Sequence, residues 1–184
     1  MSHTTTPAAA LEGPEGYRLS TSFPYIVRRV GLRIGELFDR AVAPYGVDVS
    51  MYRVIAALAE CDRQQLGQLS QVTSIELSTL SRLVGTMSAK ALLTRRRPRG
   101  NGRIVEISLS PKGRRLAVDL MPVAARFEAA AVGGMGEGDI ARLKAQLEAA
   151  YRNLDRLEQE LSVIVATAKP ARKKRRSVRA EAQT

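Results

Sequence analysis

Five arginines lie within the nine residues from Arg95 to Arg103, and no acidic residue separates them. A guanidinium group can donate two parallel hydrogen bonds to a phosphate or to the edge of a guanine. A surface segment that contacts only water normally carries charges of both signs. The cluster therefore indicates binding to a polyanion such as nucleic acid. Its members are Arg95, Arg96, Arg97, Arg99 and Arg103.

A segment with helical periodicity, residues 76–90, lies just before this cluster. Its apolar face consists of Leu80, Leu83, Val84 and Met87. The polar residues on the other faces are Ser78, Thr79, Ser81, Arg82 and Thr86. Short polar side chains with one arginine suit a helix that enters the major groove. The same pattern is also expected of an ordinary amphipathic helix whose polar face is solvated.

The residue types on which most catalysis depends are scarce. The one histidine, His3, lies in a leader without apolar periodicity, and the one cysteine, Cys61, has no partner for a disulfide or a Cys/His site. The sequence contains no phosphate-binding glycine-rich loop and no acidic pair among apolar residues. We therefore expect a protein that is not an enzyme and that uses no metal or cofactor.

The chain of 184 residues is strongly basic, with a formal net charge of +11. Residues 169–184 hold seven of the cations and one acidic residue, which predicts a disordered basic tail that binds polyanions. Since no apolar stretch could span a bilayer and no secretory signal is recognisable, we expect a cytoplasmic protein without a membrane partner.

Apolar periodicity and helix breakers predict the elements that position these side chains. Helices are expected at residues 22–43, 50–60, 66–72, 76–90, 111–132 and 139–168, and strands at 92–97 and 104–109. Glycines, Asn101 and Pro98 predict a turn between the two strands, which makes them a hairpin. Asp48 or Ser50 is expected to cap the second helix and Ser110 the fifth.

The spacing of the third and fourth helices predicts a helix-turn-helix. Ser70, Ser74 and Leu80 fit its small residue, its turn and its apolar anchor. The fold class is thus mainly α with a small β-hairpin wing. We expect a winged helix-turn-helix domain at residues 48–113, helical regions at 21–47 and 114–168, a disordered leader at 1–20 and the basic tail at 169–184. An apolar stripe from Ile140 to Ile164 predicts that the last helix pairs with a second copy of the chain.

Residues 69–84, 92–97 and 103–113 resemble the MarR family of bacterial transcription regulators, and the helix order matches from Phe23 to Ala168. The resemblance implies a homodimer that binds double-stranded DNA, in which the first and last helices of both chains, at 21–47 and 114–168, interlock. It implies base reading by the helix that carries Leu77, Ser78, Ser81 and Arg82. It also implies that the wing arginine, Arg103, enters the minor groove.

Three positions depart from the family pattern. Asn101 stands where an acidic residue usually precedes the wing arginine, so an ionic clamp on that arginine becomes a neutral hydrogen bond. Ala91 and Ser74 stand where glycine is common. A left-handed backbone at Ala91 would cost on the order of 1 kcal/mol or be avoided.

Members of the family commonly release DNA when a small anionic or aromatic molecule binds between the dimerisation helices and the DNA-binding lobe. The candidate ligand residues here are Tyr25, Arg29, Arg33 and Tyr52. The start of the first helix is similar to regulators of aromatic-acid breakdown, some of which respond to an aromatic acyl-CoA. The alternative is that the arginines are solvated or paired with Glu36 and Asp39.

The expected function is that of a ligand-responsive repressor of a palindromic operator, which controls aromatic-compound catabolism or efflux. The alternative is an architectural DNA-coating protein with little sequence preference, bound largely through its tail. Cys61 is expected to be a small, half-buried residue rather than the redox sensor that some family members carry in their first helix.

Overall fold

The computed structural model of the chain describes residues 17–97 and 105–167, of which 162–167 are described by their backbone alone. Its helices are α1 (Phe23–Val42), α2 (Val49–Glu60), α3 (Leu66–Thr73), α4 (Leu77–Ala89), α5 (Pro111–Ala131) and α6 (Glu137–Thr167). Its strands are β1 (Gln64–Gln65), β2 (Leu93–Arg96) and β3 (Glu106–Leu109). The chain divides into two compact units, one ending at Gly133 and the other beginning at Gly134. The predicted fold class is confirmed.

The first unit has one apolar core, to which every helix from α1 to α5 and the sheet contribute. Its most deeply buried side chains are Val42, Val54, Ile55, Leu58, Leu69, Leu80, Val84, Met87 and Leu120. These residues recur at the three- and four-residue spacing that predicted the helices. Because α3, α4 and both strands of the hairpin bury side chains in this core, their relative positions are fixed by it.

The sheet is antiparallel, in the strand order β1-β3-β2. Leu93 lies opposite Leu109 and Arg96 opposite Glu106 in the hairpin, and Gln64 pairs with Ile107 on the other edge. The sequence did not predict β1, because two glutamines give no alternation to detect. The buried Gln64 amide also donates to the carbonyl oxygens of Ala57 and Cys61, each at 2.8 Å, and so closes the end of α2. The predicted turn, residues 98–103, lies outside the described residues.

Side-chain caps set the starts of two helices. The carboxylate of Asp48 accepts from the backbone N–H of Met51 at 2.7 Å, so Asp48 rather than Ser50 caps α2. The Ser110 hydroxyl accepts from the N–H of Gly113 at 2.9 Å, as predicted for α5. Pro122 lies inside α5, which continues to Ala131. The second unit contains α6, which begins at Glu137, two residues before the predicted start.

The end of α4 is a Schellman motif. Leu92 N–H donates to the Met87 carbonyl and Ala91 N–H to the Ser88 carbonyl, both at 2.9 Å. This motif requires a left-handed backbone at the second residue after the helix, and Ala91, at that position, has φ +58°. The backbone at Ala91 therefore adopts the conformation that the sequence marked as costly.

Replacing Ala91 with glycine should remove that cost. We expect Ala91→Gly to raise the unfolding free energy by about 1 kcal/mol and Tm by about 2–4 °C, because glycine reaches positive φ without a Cβ clash. Ala89→Gly, two residues earlier in the right-handed helix, is the matched control and should destabilise by about 0.5–1 kcal/mol. Thermal unfolding followed by circular dichroism measures both variants. A decrease in Tm for Ala91→Gly as large as that for Ala89→Gly would contradict the assignment.

Candidate nucleic-acid interface

The turn between α3 and α4 is held by backbone-directed hydrogen bonds from α3. The hydroxyl of Ser70 donates to the Ile75 carbonyl at 2.7 Å, and that of Thr73 donates to the Leu69 carbonyl at 2.6 Å. Ser74, at the turn itself, has φ +53°. The hydroxyl at position 70 thus closes the turn, at the position where the sequence predicted the small residue of the motif. The predicted helix-turn-helix is present.

The helix α4 buries one face and exposes the other. Leu80, Val84 and Met87 lie in the core, and Leu83 is partly buried. The exposed residues are Leu77, Ser78, Thr79, Ser81, Arg82, Thr86 and Ala89, and the first five are the candidate DNA-binding residues. The structure therefore brings all five candidate residues of this helix together on its accessible side.

Glu76 caps the start of α4, a position that sequence analysis had assigned to the helix itself. Its carboxylate accepts from the backbone N–H of Ser78 at 2.9 Å, from that of Thr79 at 3.0 Å, and from the Ser78 hydroxyl. These bonds, with the Ser78 hydroxyl foremost, lower the pKa of Glu76 to about 2. The sequence could have indicated this cap, because Glu76 lies two and three residues before Ser78 and Thr79. The cap was not predicted because glutamate is not among the preferred N-cap residues.

The first arginines of the hairpin lie beside α4. Arg95, Arg96 and Arg97 are exposed. A methyl group placed on Gly85 of α4 would lie 3.8 Å from Nη2 of Arg95. The guanidinium group of Arg95 therefore lies next to α4 at Gly85. The helix and the strand thus present cations and short polar groups together. Arg99, Arg103 and Asn101 lie outside the described residues.

The candidate ligand residues fall into two places in the first unit. Arg29 and Arg33 line one groove along α1, together with Ile26 and Val30. The guanidinium carbon of Arg29 lies 5.6 Å from the centre of the Tyr25 ring, a cation–π distance. Tyr25, Arg29 and Arg33 are therefore neighbours.

Tyr52 lies elsewhere in that unit. Its ring packs edge-on against Phe38 at 4.6 Å between centroids, and it lines a different groove, beside Thr73 and Ser74 at the turn of the helix-turn-helix. Burial, followed by the negative charges of Glu60 and Glu128, raises the pKa of its hydroxyl. Periodicity placed Tyr52 on a helix but could not show which groove it lines.

Ion pairing accounts for one of the candidate arginines. Arg33 pairs with Glu36 at 3.5 Å, but both side chains are exposed, so the pair contributes little to stability. Asp39 accepts instead from the backbone N–H of Val49 at 3.0 Å. The ion pair between Arg33 and Glu36 therefore supports the alternative that these arginines are solvated or paired.

Cys61 is exposed, which corrects the expectation of a half-buried side chain. It is the residue after the last helical position of α2 and has an extended backbone, so it has left the buried face of that helix. Within the described residues no group of His, Cys, Asp and Glu side chains could hold a metal ion. No helix in that part of the chain is long and apolar enough to cross a membrane.

Together, α2, α3, α4 and the hairpin form a winged helix-turn-helix, a class of DNA-binding domain in which the second helix of the motif approaches the major groove. No family model matches the chain. Comparison with curated proteins finds 24% identity over 136 residues to the HTH-type transcriptional repressor IacR of Pseudomonas putida, covering 73% of this chain and 81% of that protein.

Solved structures with the same fold include BpsR of Bordetella bronchiseptica, whose DNA binding is regulated by 6-hydroxynicotinic acid. The match has a TM-score of 0.68 and 22% identity, and it covers 76% of this chain and 98% of that one. The MarR family regulator SPO1453 of Silicibacter pomeroyi DSS-3 matches with a TM-score of 0.65 and 25% identity, over 75% and 98% of the two chains. The predicted resemblance to the MarR family is confirmed, since the chain shares the fold of MarR family regulators and is similar in sequence to a transcriptional repressor.

The low pKa of Glu76 predicts how its cap responds to acid. A carboxyl group whose pKa falls from 4.5 to about 2 on folding stabilises the fold above pH 4.5 and loses that contribution as the pH falls toward 2. The Tm difference between the parent chain and Glu76→Gln should therefore be constant above about pH 5 and shrink below about pH 4. Thermal unfolding from neutral pH down to about pH 3 measures it, with Glu76→Asp as the control that keeps a carboxylate. A difference that does not change with pH would refute the cap.

Proposed function

We propose that this chain is a ligand-responsive transcriptional repressor that binds a palindromic operator as a homodimer. The observation that carries the proposal is the juxtaposition of the exposed face of α4 with Arg95 of the hairpin. The helix supplies short polar groups and Arg82 for base edges, and the hairpin supplies guanidinium groups for phosphates and the minor groove. Similarity to IacR, a transcriptional repressor, supports repression. The genes controlled are expected to serve the catabolism or efflux of aromatic compounds.

The DNA-binding set proposed for α4 is Leu77, Ser78, Thr79, Ser81 and Arg82, and for the hairpin Arg95, Arg97, Arg99 and Arg103. Two kinds of contact divide this set. Side chains of α4 that reach base edges select sequence, whereas arginines that contact phosphates add affinity to every sequence. Arg103 is proposed to respond to minor-groove width, and hence to A·T-rich flanking steps.

Arg82→Ala should test base reading most directly. Loss of its contact should cost about 1–3 kcal/mol on the operator and relax the preference at one base pair in each half-site, because a bidentate contact to guanine is lost. Binding to a randomised-site library at fixed salt measures it. Arg142→Ala is the matched control, since Arg142 is exposed on α6 in the other structural unit and pairs with Asp139.

The architectural alternative makes a different prediction for the same library. A DNA-coating protein would lose affinity equally for all sequences in Arg82→Ala and Arg103→Ala, and removal of residues 169–184 would abolish most binding. Such a result would replace the proposed repressor with the alternative.

The proposed homodimer is supported by apolar surface in each of the two units. The exposed apolar side chains of α1 are Phe23, Ile26, Val27, Val30, Leu32 and Ile34. Those of α6 are Leu143, Leu147, Tyr151, Leu154, Leu157 and Leu161, which recur every three or four residues. Soluble monomers seldom expose apolar stripes of this length, whereas paired helices bury them. A second copy of the chain is the partner that would cover both.

Leu154→Glu should separate the dimer, because it places a charge in the middle of the α6 stripe, where Leu154 is 59% exposed in the single chain. Ala145→Glu is the matched control, since Ala145 is also exposed but lies on the opposite side of α6 by helical spacing, and it should leave the dimer intact. Sedimentation at micromolar concentration measures both variants. A parent chain that sediments as a folded monomer and still binds its operator tightly would remove the dimer from the proposal.

The proposed effector is a small anionic or aromatic molecule, such as an aromatic acid or its CoA thioester. The proximity of Tyr25, Arg29 and Arg33 along one groove supports a site for a ring with an anionic group. Regulation of BpsR by 6-hydroxynicotinic acid, an aromatic carboxylic acid, supports the same chemistry. Tyr52 would belong to this site only if the ligand also reached the second groove.

Arg29→Ala and Arg33→Ala should keep DNA binding and lose release by the effector, since binding and coupling then depend on different residues. DNA binding followed by fluorescence anisotropy, during titration of benzoate, 6-hydroxynicotinic acid and benzoyl-CoA, measures release. Arg40→Ala, at the end of α1, is the control and should respond like the parent. Release that is equal in all variants would place the site elsewhere, and no response to any of the three compounds would remove the aromatic effector.

A further inference from the structure

The first turn of α4 contains a hydrogen bond between two side chains that are both exposed, Glu76 and Ser78. Glu76 also holds the backbone N–H groups of Ser78 and Thr79, which fixes its carboxylate above the start of the helix. A helix N-terminus with free N–H groups would attract a phosphate. Here the protein's own carboxylate accepts from the Ser78 and Thr79 N–H groups, so a partner at the start of α4 would meet side chains instead of these groups.

The protonation state of Glu76 decides the direction of the bond to Ser78. An ionised carboxylate can only accept hydrogen bonds, whereas a serine hydroxyl has one hydrogen to donate and two lone pairs that accept. Since the pKa of Glu76 is about 2, the carboxylate is ionised at neutral pH and the hydroxyl of Ser78 donates to it. The only capacity that the Ser78 hydroxyl retains for another partner is as an acceptor.

We infer that Ser78 reads one base in each half-site by accepting a hydrogen bond from an exocyclic amino group, and that Glu76 is the positioning residue that sets this polarity. The major groove offers such donors at N6 of adenine and N4 of cytosine, and acceptors at O6 of guanine and O4 of thymine. A serine whose hydrogen is free can contact either kind. With its hydrogen committed to Glu76, Ser78 favours adenine or cytosine on the strand it contacts. The inference rests on the proposed operator binding and adds the selectivity of one side chain.

A randomised-site library bound by the full chain tests the inference. The parent should favour adenine or cytosine at one position of the half-site by about 3- to 10-fold, the range expected for one hydrogen bond, and Ser78→Ala should lose that preference alone. Glu76→Ala should accept guanine and thymine at the same position, because the freed hydroxyl can donate. Glu76→Asp should restore the parental preference. Ser88→Ala, which removes a hydroxyl bonded to the Val84 carbonyl in the same helix, should leave the profile unchanged.

Methylated bases give a second measurement that does not depend on any change at Glu76. N6-methyladenine or N4-methylcytosine at the selected position replaces the groove-facing hydrogen while the base pair is kept. This substitution should weaken binding of the parent by about 3- to 10-fold and should not affect Ser78→Ala. If Glu76→Ala unfolds, as its thermal transition would show, this comparison decides the role of Ser78. Glu76→Gly, which also lacks a side-chain acceptor but is tolerated at an N-cap, should then bind guanine and thymine at the same position of the library.

Three outcomes would overturn the inference. Ser78→Ala could leave every position of the profile unchanged, the methylated base could weaken Ser78→Ala as much as the parent, or Glu76→Ala could keep the adenine or cytosine preference intact. All three can occur while Arg82→Ala still relaxes its own position, in which case the operator proposal stands. A parent chain without preference at any position would instead refute the proposed function itself.

Discussion

The carbonyl groups of Ala91 and Leu92 join the two parts of the proposed interface. Ser110 donates its backbone N–H to the Leu92 carbonyl at 2.9 Å and its hydroxyl to the Ala91 carbonyl at 2.6 Å. A Cβ on Gly113 would overlap the Leu92 oxygen, so only glycine allows the start of α5 to lie this close. The end of α4, the start of β2, the end of β3 and the start of α5 meet at this point. The separation between the exposed face of α4 and the arginines of the hairpin depends on it.

Two residues that flank α4 have strained backbones. Ser74 and Ala91 both adopt left-handed backbone angles, at the two ends of the segment that contains α4. Each non-glycine residue in this conformation costs about 1 kcal/mol, which the buried side chains of α4 offset because Leu80, Val84 and Met87 lie in the core. Stability is thus reduced locally where the orientation of α4 is set. The Glu76 cap stabilises the N-terminal end of the same helix.

The helices could be predicted because a buried face leaves a periodic trace in the sequence. The bounds of α1, α3 and α4 lie within one or two residues of those expected, and Ser110 with Pro111 marked the start of α5. The strand β1 could not be predicted, since its two residues are defined by pairing with β3, which lies far along the chain. Periodicity also predicted the exposed face of α4, but not the bond between Ser78 and Glu76, which depends on side-chain geometry.

The candidate ligand site shows a further limit of sequence analysis. Tyr25, Arg29 and Arg33 share one side of a single helix, so their proximity follows from helical spacing. Tyr52 comes from another helix, and its packing against Phe38 depends on how α1 and α2 cross. Helical periodicity specifies faces, whereas a site formed by several helices requires their mutual positions. Residues 98–104, which carry the wing arginine Arg103, lie outside the described residues, so the hairpin tip remains a proposal from the sequence.

Sequence-specific binding by α4 and the hairpin is the central claim, and footprinting tests it most directly. Hydroxyl-radical cleavage of the DNA upstream of the gene for this chain, with excess random DNA present, should show protection of one short palindrome. The two protected half-sites should lie about 10 base pairs apart, one helical turn, as a symmetric dimer with one α4 in each major groove requires. Protection that spreads evenly along the DNA, or that disappears when random DNA is added, would contradict the account.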